Sequence, residues 1–179
     1  RHAQKALTLA ALALAGCSSS AQQAAVQVPG GCPQVLVVGE TSNVTKFQTG
    51  TGRDPTDVVL QARIADFKGS CALNARSRRL DVDLTLQVEA VQGPANRDRR
   101  GAYDYFVAIA DQTDAILAKK VFPAEVAFAA GTARLDMVEE LTQTIPLRGN
   151  EVGADYRIYV GFQLSDAELA YNRARLSRR

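Results

Sequence analysis

The stretch Leu80-Asp-Val-Asp-Leu-Thr-Leu-Gln-Val88 alternates apolar and polar residues without error. Because successive side chains of a β-strand point to opposite faces, this alternation predicts a strand with one face buried and the other in water. Segments 103–110 and 155–164 alternate in the same way. The residues expected on their buried sides are Tyr103, Tyr105, Val107 and Ile109 in the first, and Tyr156, Ile158, Val160, Phe162 and Leu164 in the second.

Four further apolar segments bring the number of predicted strands to seven. They cover residues 35–39, 58–73, 115–128 and 134–147, with turn-rich loops expected at 43–55 and 92–101. Strands that follow one another through turns, without intervening helices, favour an antiparallel sandwich or barrel. We therefore expect an all-β fold, an antiparallel seven-strand β-sandwich that is immunoglobulin-like in architecture.

Two local signals refine this prediction. Pro123 interrupts the segment 115–128 and indicates an edge strand or a bulge, because proline cannot donate a hydrogen bond to a neighbouring strand. Ser165-Asp-Ala-Glu168 is typical of a helix start in which Ser caps and Glu occupies the third helical position. A short C-terminal helix through about Arg175 is expected.

The first seventeen residues have the pattern of an export signal. Arg1-His-Ala-Gln-Lys5 places positive charge ahead of residues 6–16, which are uncharged, mostly apolar and end in small residues. Such a stretch rises only about 16 Å as a helix, against a hydrocarbon core of roughly 30 Å. A cleaved signal is therefore favoured over a transmembrane span or a buried core helix.

The signal closes on Leu14-Ala15-Gly16-Cys17, which resembles the lipobox of bacterial lipoproteins. The resemblance implies that the Cys17 thiol accepts a diacylglycerol and that cleavage removes residues 1–16. Two or more acyl chains hold a protein stably on a membrane. Ser18, a residue other than Asp after the cysteine, further implies transfer to the outer membrane. A chance cysteine beside an ordinary secretory cleavage site is the alternative.

Cleavage before Cys17 changes the charge and the available chemistry. The chain has 21 Lys and Arg, 19 Asp and Glu and one His. Loss of Arg1, Lys5 and His2 leaves equal numbers of basic and acidic residues and no histidine. A chain without a basic surplus does not predict a nucleic-acid partner, and Ser–His or Cys–His catalysis needs a histidine. We expect no enzymatic activity, no cofactor and no metal site.

The chain after the signal divides into a tether and a domain. Residues 18–31 are small, uncharged and without a period, so 17–31 is predicted to be a lipidated cysteine followed by a flexible tether. Residues 32–179 are expected to form one sandwich domain with its C-terminal helix. In the oxidising compartment that export implies, Cys32 and Cys71 are expected to form a disulfide, the alternative being two isolated small core residues.

These features predict a lipid-anchored, non-enzymatic protein on the periplasmic face of the bacterial outer membrane, acting as a scaffold or accessory subunit of an envelope complex. A lipobox joined to a small partner-binding domain is similar to the accessory lipoproteins of the outer-membrane β-barrel assembly machinery. The candidate partner surface comprises Tyr159, expected on the exposed side of its strand, with Arg173 and Arg175 from the basic C-terminal cluster.

The alternative is a small-ligand or glycan-binding lipoprotein that uses two loops at one end of the sandwich, 41–55 and 96–101. A polar pocket framed by both loops would favour a ligand. A flat surface bearing Tyr and Arg would favour a protein partner.

Overall fold

The computed structural model describes residues 31–50 and 52–177, so the predicted signal, the lipidation site Cys17 and nearly all of the tether lie outside the described residues. Within those ranges, no helix combines the length and the apolar character needed to cross a membrane. The strands are β1 (Gln34–Val37), β2 (Asn43–Phe47), β3 (Val58–Asn74), β4 (Arg79–Gln92), β5 (Arg100–Ala110), β6 (Ile116–Ala127), β7 (Arg134–Pro146) and β8 (Arg157–Phe162), followed by helix α1 (Asp166–Leu176).

The strands form two packed four-stranded sheets. Sheet I has the strand order β1-β8-β5-β6, and sheet II has the order β2-β3-β4-β7. Neighbouring strands are antiparallel, except that β1 and β8 are parallel, with Gln34 opposite Arg157. The predicted all-β sandwich is confirmed, with eight strands rather than seven.

Strand β4 supplies the centre of the core. Its alternate residues from Leu80 to Ala90 are each no more than 2% exposed. Burial of a Val or Leu side chain contributes about 1.5–3 kcal/mol relative to leaving it in water. Sheet I contributes the opposing side chains that the alternation predicted, namely Tyr103, Tyr105, Val107, Ile109, Tyr156, Ile158, Val160 and Phe162.

The strand that the sequence did not predict is β2, which lies inside the segment 43–55 expected to be a loop. It pairs antiparallel with the first part of β3. Helix α1 also holds it in place, since the Asn172 amide donates to the Asn43 carbonyl at 2.8 Å and Lys46 pairs with Glu168 at 2.8 Å. Because Asn172 is 129 residues from Asn43, the local pattern could not reveal this support.

A disulfide joins Cys32 to Cys71, as predicted, with the Cα atoms 5.7 Å apart. Beyond an irregularity between Ile64 and Asp66, β3 extends past β2 and lies beside β1. The disulfide therefore links sheet I to sheet II along this side of the sandwich. In the chain-entropy model, closing a loop of this size stabilises the fold by about 4 kcal/mol.

Helix α1 begins as the sequence predicted. The Ser165 hydroxyl accepts from the backbone N–H of Glu168, and the Glu168 carboxylate accepts from the backbone N–H of Ser165. The helix ends at Leu176 and packs beside β2, where Phe47 and Tyr171 meet edge to face with ring centroids 5.0 Å apart. It therefore covers an edge of sheet II that would otherwise be open.

Candidate protein-binding surface

The outer face of sheet I, which points away from the core, carries large apolar and aromatic side chains. The strand register aligns its residues in three rows across the strands. From here on, "the outer face of sheet I" means these three rows: Arg157-Ala110-Ile116, Leu36-Tyr159-Ala108-Lys119 and Gly161-Phe106-Val121.

Several of these side chains are open to solvent. Ile116 is 56% exposed and Val121 is 42% exposed, and Leu117 next to them is 55% exposed. Phe106, Tyr159 and Leu36 are half-buried. Single exposed apolar residues are common, but a contiguous group on one sheet face is typical of a surface that another molecule covers.

Asp114 fixes the polar groups of this face. Its Oδ1 accepts hydrogen bonds from the Tyr159 hydroxyl and from Nη1 of Arg157, each at 2.6 Å. The hydrogen bond from Tyr159, followed by that from Arg157, lowers the pKa of the Asp114 carboxyl, and the same bond raises the pKa of Tyr159. Asp114 is therefore ionised and Tyr159 protonated at neutral pH, which holds the ring and the guanidinium in one arrangement.

The turn between β5 and β6 positions Asp114. Asp114 itself adopts the left-handed conformation, with φ of 64°. The Asp111 carboxylate accepts from the backbone N–H groups of Thr113 and Ala115, at 2.8 and 3.1 Å. A local hydrogen-bonded turn of this kind needs no distant contact to form, and the pairing of β8 with β5 then brings Tyr159 and Arg157 to the Asp114 carboxylate.

A cation–π contact joins β6 to β5 on the same face. Lys119 Nζ lies 4.4 Å from the centroid of the Phe106 ring. Such a contact contributes about 0.5–1 kcal/mol at an exposed site. Lys119 therefore lies close to the Phe106 ring. The face thus combines two aromatic rings, Phe106 and Tyr159, with two cations, Lys119 and Arg157.

Strand β6 is an edge strand of sheet I, as Pro123 indicated. It pairs with β5 alone among the described strands. The Asp104 carbonyl accepts a hydrogen bond from the backbone N–H of Gln163, so the backbone polar groups of Asp104 point toward β8 and away from β6. Pro123 is opposite Asp104, and its backbone nitrogen therefore points to the free edge of β6. The proline therefore removes no hydrogen bond from the sheet and prevents a neighbouring strand from pairing at that point, whereas the backbone of Lys119 and Val121 stays open.

The three residues predicted as a partner surface have separate partners. Tyr159 lies on the outer face of sheet I, as expected, and bonds to Asp114. Arg173 in α1 donates through Nε and Nη2 to the Glu40 carboxylate, at 3.0 and 2.9 Å. Arg175 lies over the Tyr171 ring, 5.7 Å from its centroid. Tyr159 therefore belongs to a sheet face and the two arginines to the helix.

The loops proposed for ligand binding do not frame a shared pocket in the described residues. Part of the first, 43–47, is strand β2. Residues 45–50 with Gly52 and Arg53 line a cavity that the start of α1 completes through Ser165, Ala167 and Glu168. In the second loop, the Asn96 amide donates to the carbonyls of Val59 and Arg100, at 3.1 and 2.9 Å. Its polar group is therefore engaged within the fold.

Two tyrosines have their hydroxyl groups between the sheets, and the buried Tyr103 hydroxyl has no hydrogen-bond partner within the described residues. Burial raises the pKa of Tyr103, and burial together with the Glu139 carboxylate raises the pKa of Tyr105 to about 12. The Tyr105 hydroxyl donates to Glu139 at 3.4 Å. No group of three or more His, Cys, Asp or Glu residues in the described part of the chain is arranged to hold a metal ion.

Sequence reasoning selected Tyr159 but missed its neighbours on the sheet. Phe106 could have been found, because it is a large aromatic residue on the wet side of the alternating segment 103–110. Ile116 and Val121 carry no such signal, since β6 does not alternate. No protein-family model, no curated protein and no solved structure matches the chain.

Proposed function

We propose that this protein is a lipid-anchored, non-enzymatic scaffold or accessory subunit of a bacterial envelope complex, and that its protein partner binds the outer face of sheet I. The observation that carries the proposal is the exposure of three large apolar side chains of β6, Ile116, Leu117 and Val121, on the sheet that also holds the fixed Tyr159–Arg157 pair. Aromatic and arginine side chains at a desolvated centre supply most of the binding energy of protein interfaces.

The shape of this face supports a protein partner over a small ligand. Its residues lie in rows across three or four adjacent strands, whereas a small molecule is usually held in a concave pocket. Tyr159 and Arg157 need no rearrangement before binding, because Asp114 already orients both. Pre-ordered side chains lower the entropy cost of association.

The proposed lipid anchor and the proposed location rest on the sequence. Leu14-Ala15-Gly16-Cys17 resembles a lipobox, and Ser18 supports the periplasmic face of the outer membrane. The outer-membrane β-barrel assembly machinery is one candidate complex, because its accessory lipoproteins combine the same kind of anchor with a small binding domain. The Cys32–Cys71 disulfide suits an oxidising compartment.

Site-specific photo-crosslinking in intact cells tests the partner surface. A photoreactive residue at position 121 is expected to give one discrete crosslinked product, which mass spectrometry identifies. The matched control is position 138, where Val138 is 60% exposed on β7 of the other sheet. Equal crosslinking from both positions, or none from position 121 with the protein correctly localised, would reject the surface.

A further inference from the structure

One end of the sandwich carries a group of exposed arginines. The connection from β3 to β4 has the sequence Asn74-Ala-Arg-Ser-Arg-Arg79, with three arginines and no acidic residue. Nη2 of Arg78 donates to the carbonyls of Gly149 and Glu151, at 2.8 and 3.0 Å. This contact brings the loop that contains Arg148 beside the β3–β4 turn.

The remaining guanidinium groups at this end are available to an external anion. Arg76, Arg79 and Arg148 are exposed, and none takes part in an ion pair within the described residues. Glu151, an acidic residue of the same loop, is within electrostatic range of Arg148 but forms no ion pair with it and has other hydrogen bonds. Its carboxylate accepts from the Tyr156 hydroxyl at 2.6 Å and from the Arg148 backbone N–H at 2.7 Å.

The chain enters the domain at the same end. Gly31 lies against Gly153, where an added Cβ would come within 2.2 Å of the Gly31 carbonyl oxygen and 2.9 Å of a Leu80 methyl group. Leu80 directly follows Arg79. The disulfide then holds Cys32 to Cys71, three residues before the β3–β4 turn begins at Asn74.

The length of chain outside the described residues limits the distance from the anchor. Residues 18–30 separate Cys17 from Gly31, and a fully extended chain spans at most about 3.6 Å per residue. The end that carries the arginines is therefore the end of the domain closest to the proposed anchor along the chain. Guanidinium groups bind phosphate oxygens in bidentate geometry, so the matching ligand is a phospholipid headgroup with net negative charge.

We propose that Arg76, Arg79 and Arg148 bind anionic phospholipid headgroups of the membrane that carries the anchor, so that this end of the sandwich faces the bilayer. The proposal rests on lipidation of Cys17. Each basic residue near an anionic surface strengthens binding about fivefold, so three together give about a hundredfold. The attraction weakens as salt shortens the range of electrostatic interactions.

Hydrogen exchange on the mature lipoprotein tests the orientation. The protein is reconstituted in vesicles of phosphatidylcholine, with or without phosphatidylglycerol. We expect the amides of residues 75–79 and 147–151 to exchange at least fivefold more slowly when phosphatidylglycerol is present, and this protection to disappear in high salt. Equal exchange in both vesicles, or protection confined to residues 173–177 of α1, would overturn the proposal.

Matched variants assign the effect to the arginines. R76Q/R79Q/R148Q should lose the protection while remaining anchored. R53Q/R97Q/R100Q removes the same number of exposed cations from the opposite end and should retain it. Arg78 is left intact because its hydrogen bonds hold the two loops together. Loss of protection in both variants would indicate a general charge effect and reject the site.

Two further measurements test the lipidation of Cys17 and the headgroup site independently of each other. Mass spectrometry of the N-terminal peptide reports the lipid directly, and its absence would refute the proposed anchor alone. A chain of residues 18–179, which lacks both the predicted signal with its Arg1 and Lys5 and the lipidated cysteine, is co-sedimented with the same two vesicles. It should bind only those with phosphatidylglycerol, and R76Q/R79Q/R148Q should weaken that binding at least tenfold. Binding that is independent of these arginines would reject the headgroup site whatever the state of Cys17.

Discussion

The outer faces of the two sheets differ in whether their side chains pair with one another through hydrogen bonds and ion pairs. On sheet II, Thr142 and Thr144 of β7 donate to Asp83 and Asp81 of β4, each at 2.6 Å. Glu89 lies between Arg63 and Arg134, and its pKa is lowered chiefly by the hydrogen bond from Arg63. On sheet I, strand β6 has three exposed aliphatic side chains, Ile116, Leu117 and Val121, whereas β7 of sheet II has one, Val138.

This contrast is the basis for proposing the outer face of sheet I as the partner surface. Cross-strand hydrogen bonds and ion pairs between neighbouring strands satisfy a solvent-facing sheet by itself. An apolar face gains nothing from water, so exposed aliphatic groups there lower solubility unless a partner covers them. Both faces belong to one sandwich. The difference between a proposed binding surface and a solvated surface therefore lies in the outward-facing residues alone.

The largest expected effect comes from a charge on the apolar face. Val121→Asp should reduce crosslinked partner, probed from position 106, more than tenfold, because an unpaired carboxylate would be buried in the interface. Val138→Asp is the matched change on sheet II and should leave the yield unchanged. Quantitative co-purification measures both, and a similar loss in the two variants would remove the distinction between the faces.

A smaller effect is expected from the carboxylate that orients Tyr159 and Arg157. Asp114→Asn removes the charge that both groups share and should weaken partner binding about three- to tenfold, since hydrogen bonds to charged groups are stronger than neutral ones. Asp83→Asn makes the same change on sheet II, where it should have no effect on binding. Unaltered binding by the Asp114 variant would show that the fixed arrangement is unnecessary.

The hydroxyl groups of sheet II should contribute modestly to stability and nothing to binding. T142V/T144V removes two exposed hydrogen bonds and is expected to lower the free energy of unfolding by about 1 kcal/mol or less in total, as both carboxylates regain water. Urea titration measures this change. A loss of partner binding in this variant would place the interface on sheet II.

The smallest effect is expected from mild acidification. The pKa of Asp114 and the pKa of Glu89 both lie below their ordinary values, so each contribution to stability is complete above the unfolded pKa and is lost only as pH falls through the lowered folded pKa. Neither face should therefore change between about pH 7 and pH 5. Carboxyl NMR titration checks this, and an Asp114 pKa at or above the usual aspartate value would contradict it.

The sequence predicted those parts of the fold that depend on local pattern. The strict alternation around Val82 and Leu84 identified the central strand, Ser165 with Glu168 identified the helix start, and the paired cysteines identified the disulfide. Strand β2 was missed because α1 and β3 stabilise it from outside its own five residues.

The proposed binding face was predicted only in part because it depends on strand register. Tyr159 could be assigned to the exposed side of its strand, but its position beside Ala108 and Lys119 follows from pairing between β8, β5 and β6. The sequence gives no information on which strands become neighbours. Arg173 and Arg175 belong to the basic C-terminal cluster, but only the contact of Arg173 with Glu40 depends on the packing of α1. Arg175 lies over Tyr171 of the same helix.

The parallel pairing of β1 with β8 sets a time order for folding. The first strand of sheet I has the last strand of the chain as its neighbour, so Val35 and Val37 cannot find Ile158 and Val160 until synthesis is nearly complete. Pairing between such distant segments is slow to form. A chain with this topology can close sheet I only after its C-terminal segment is available.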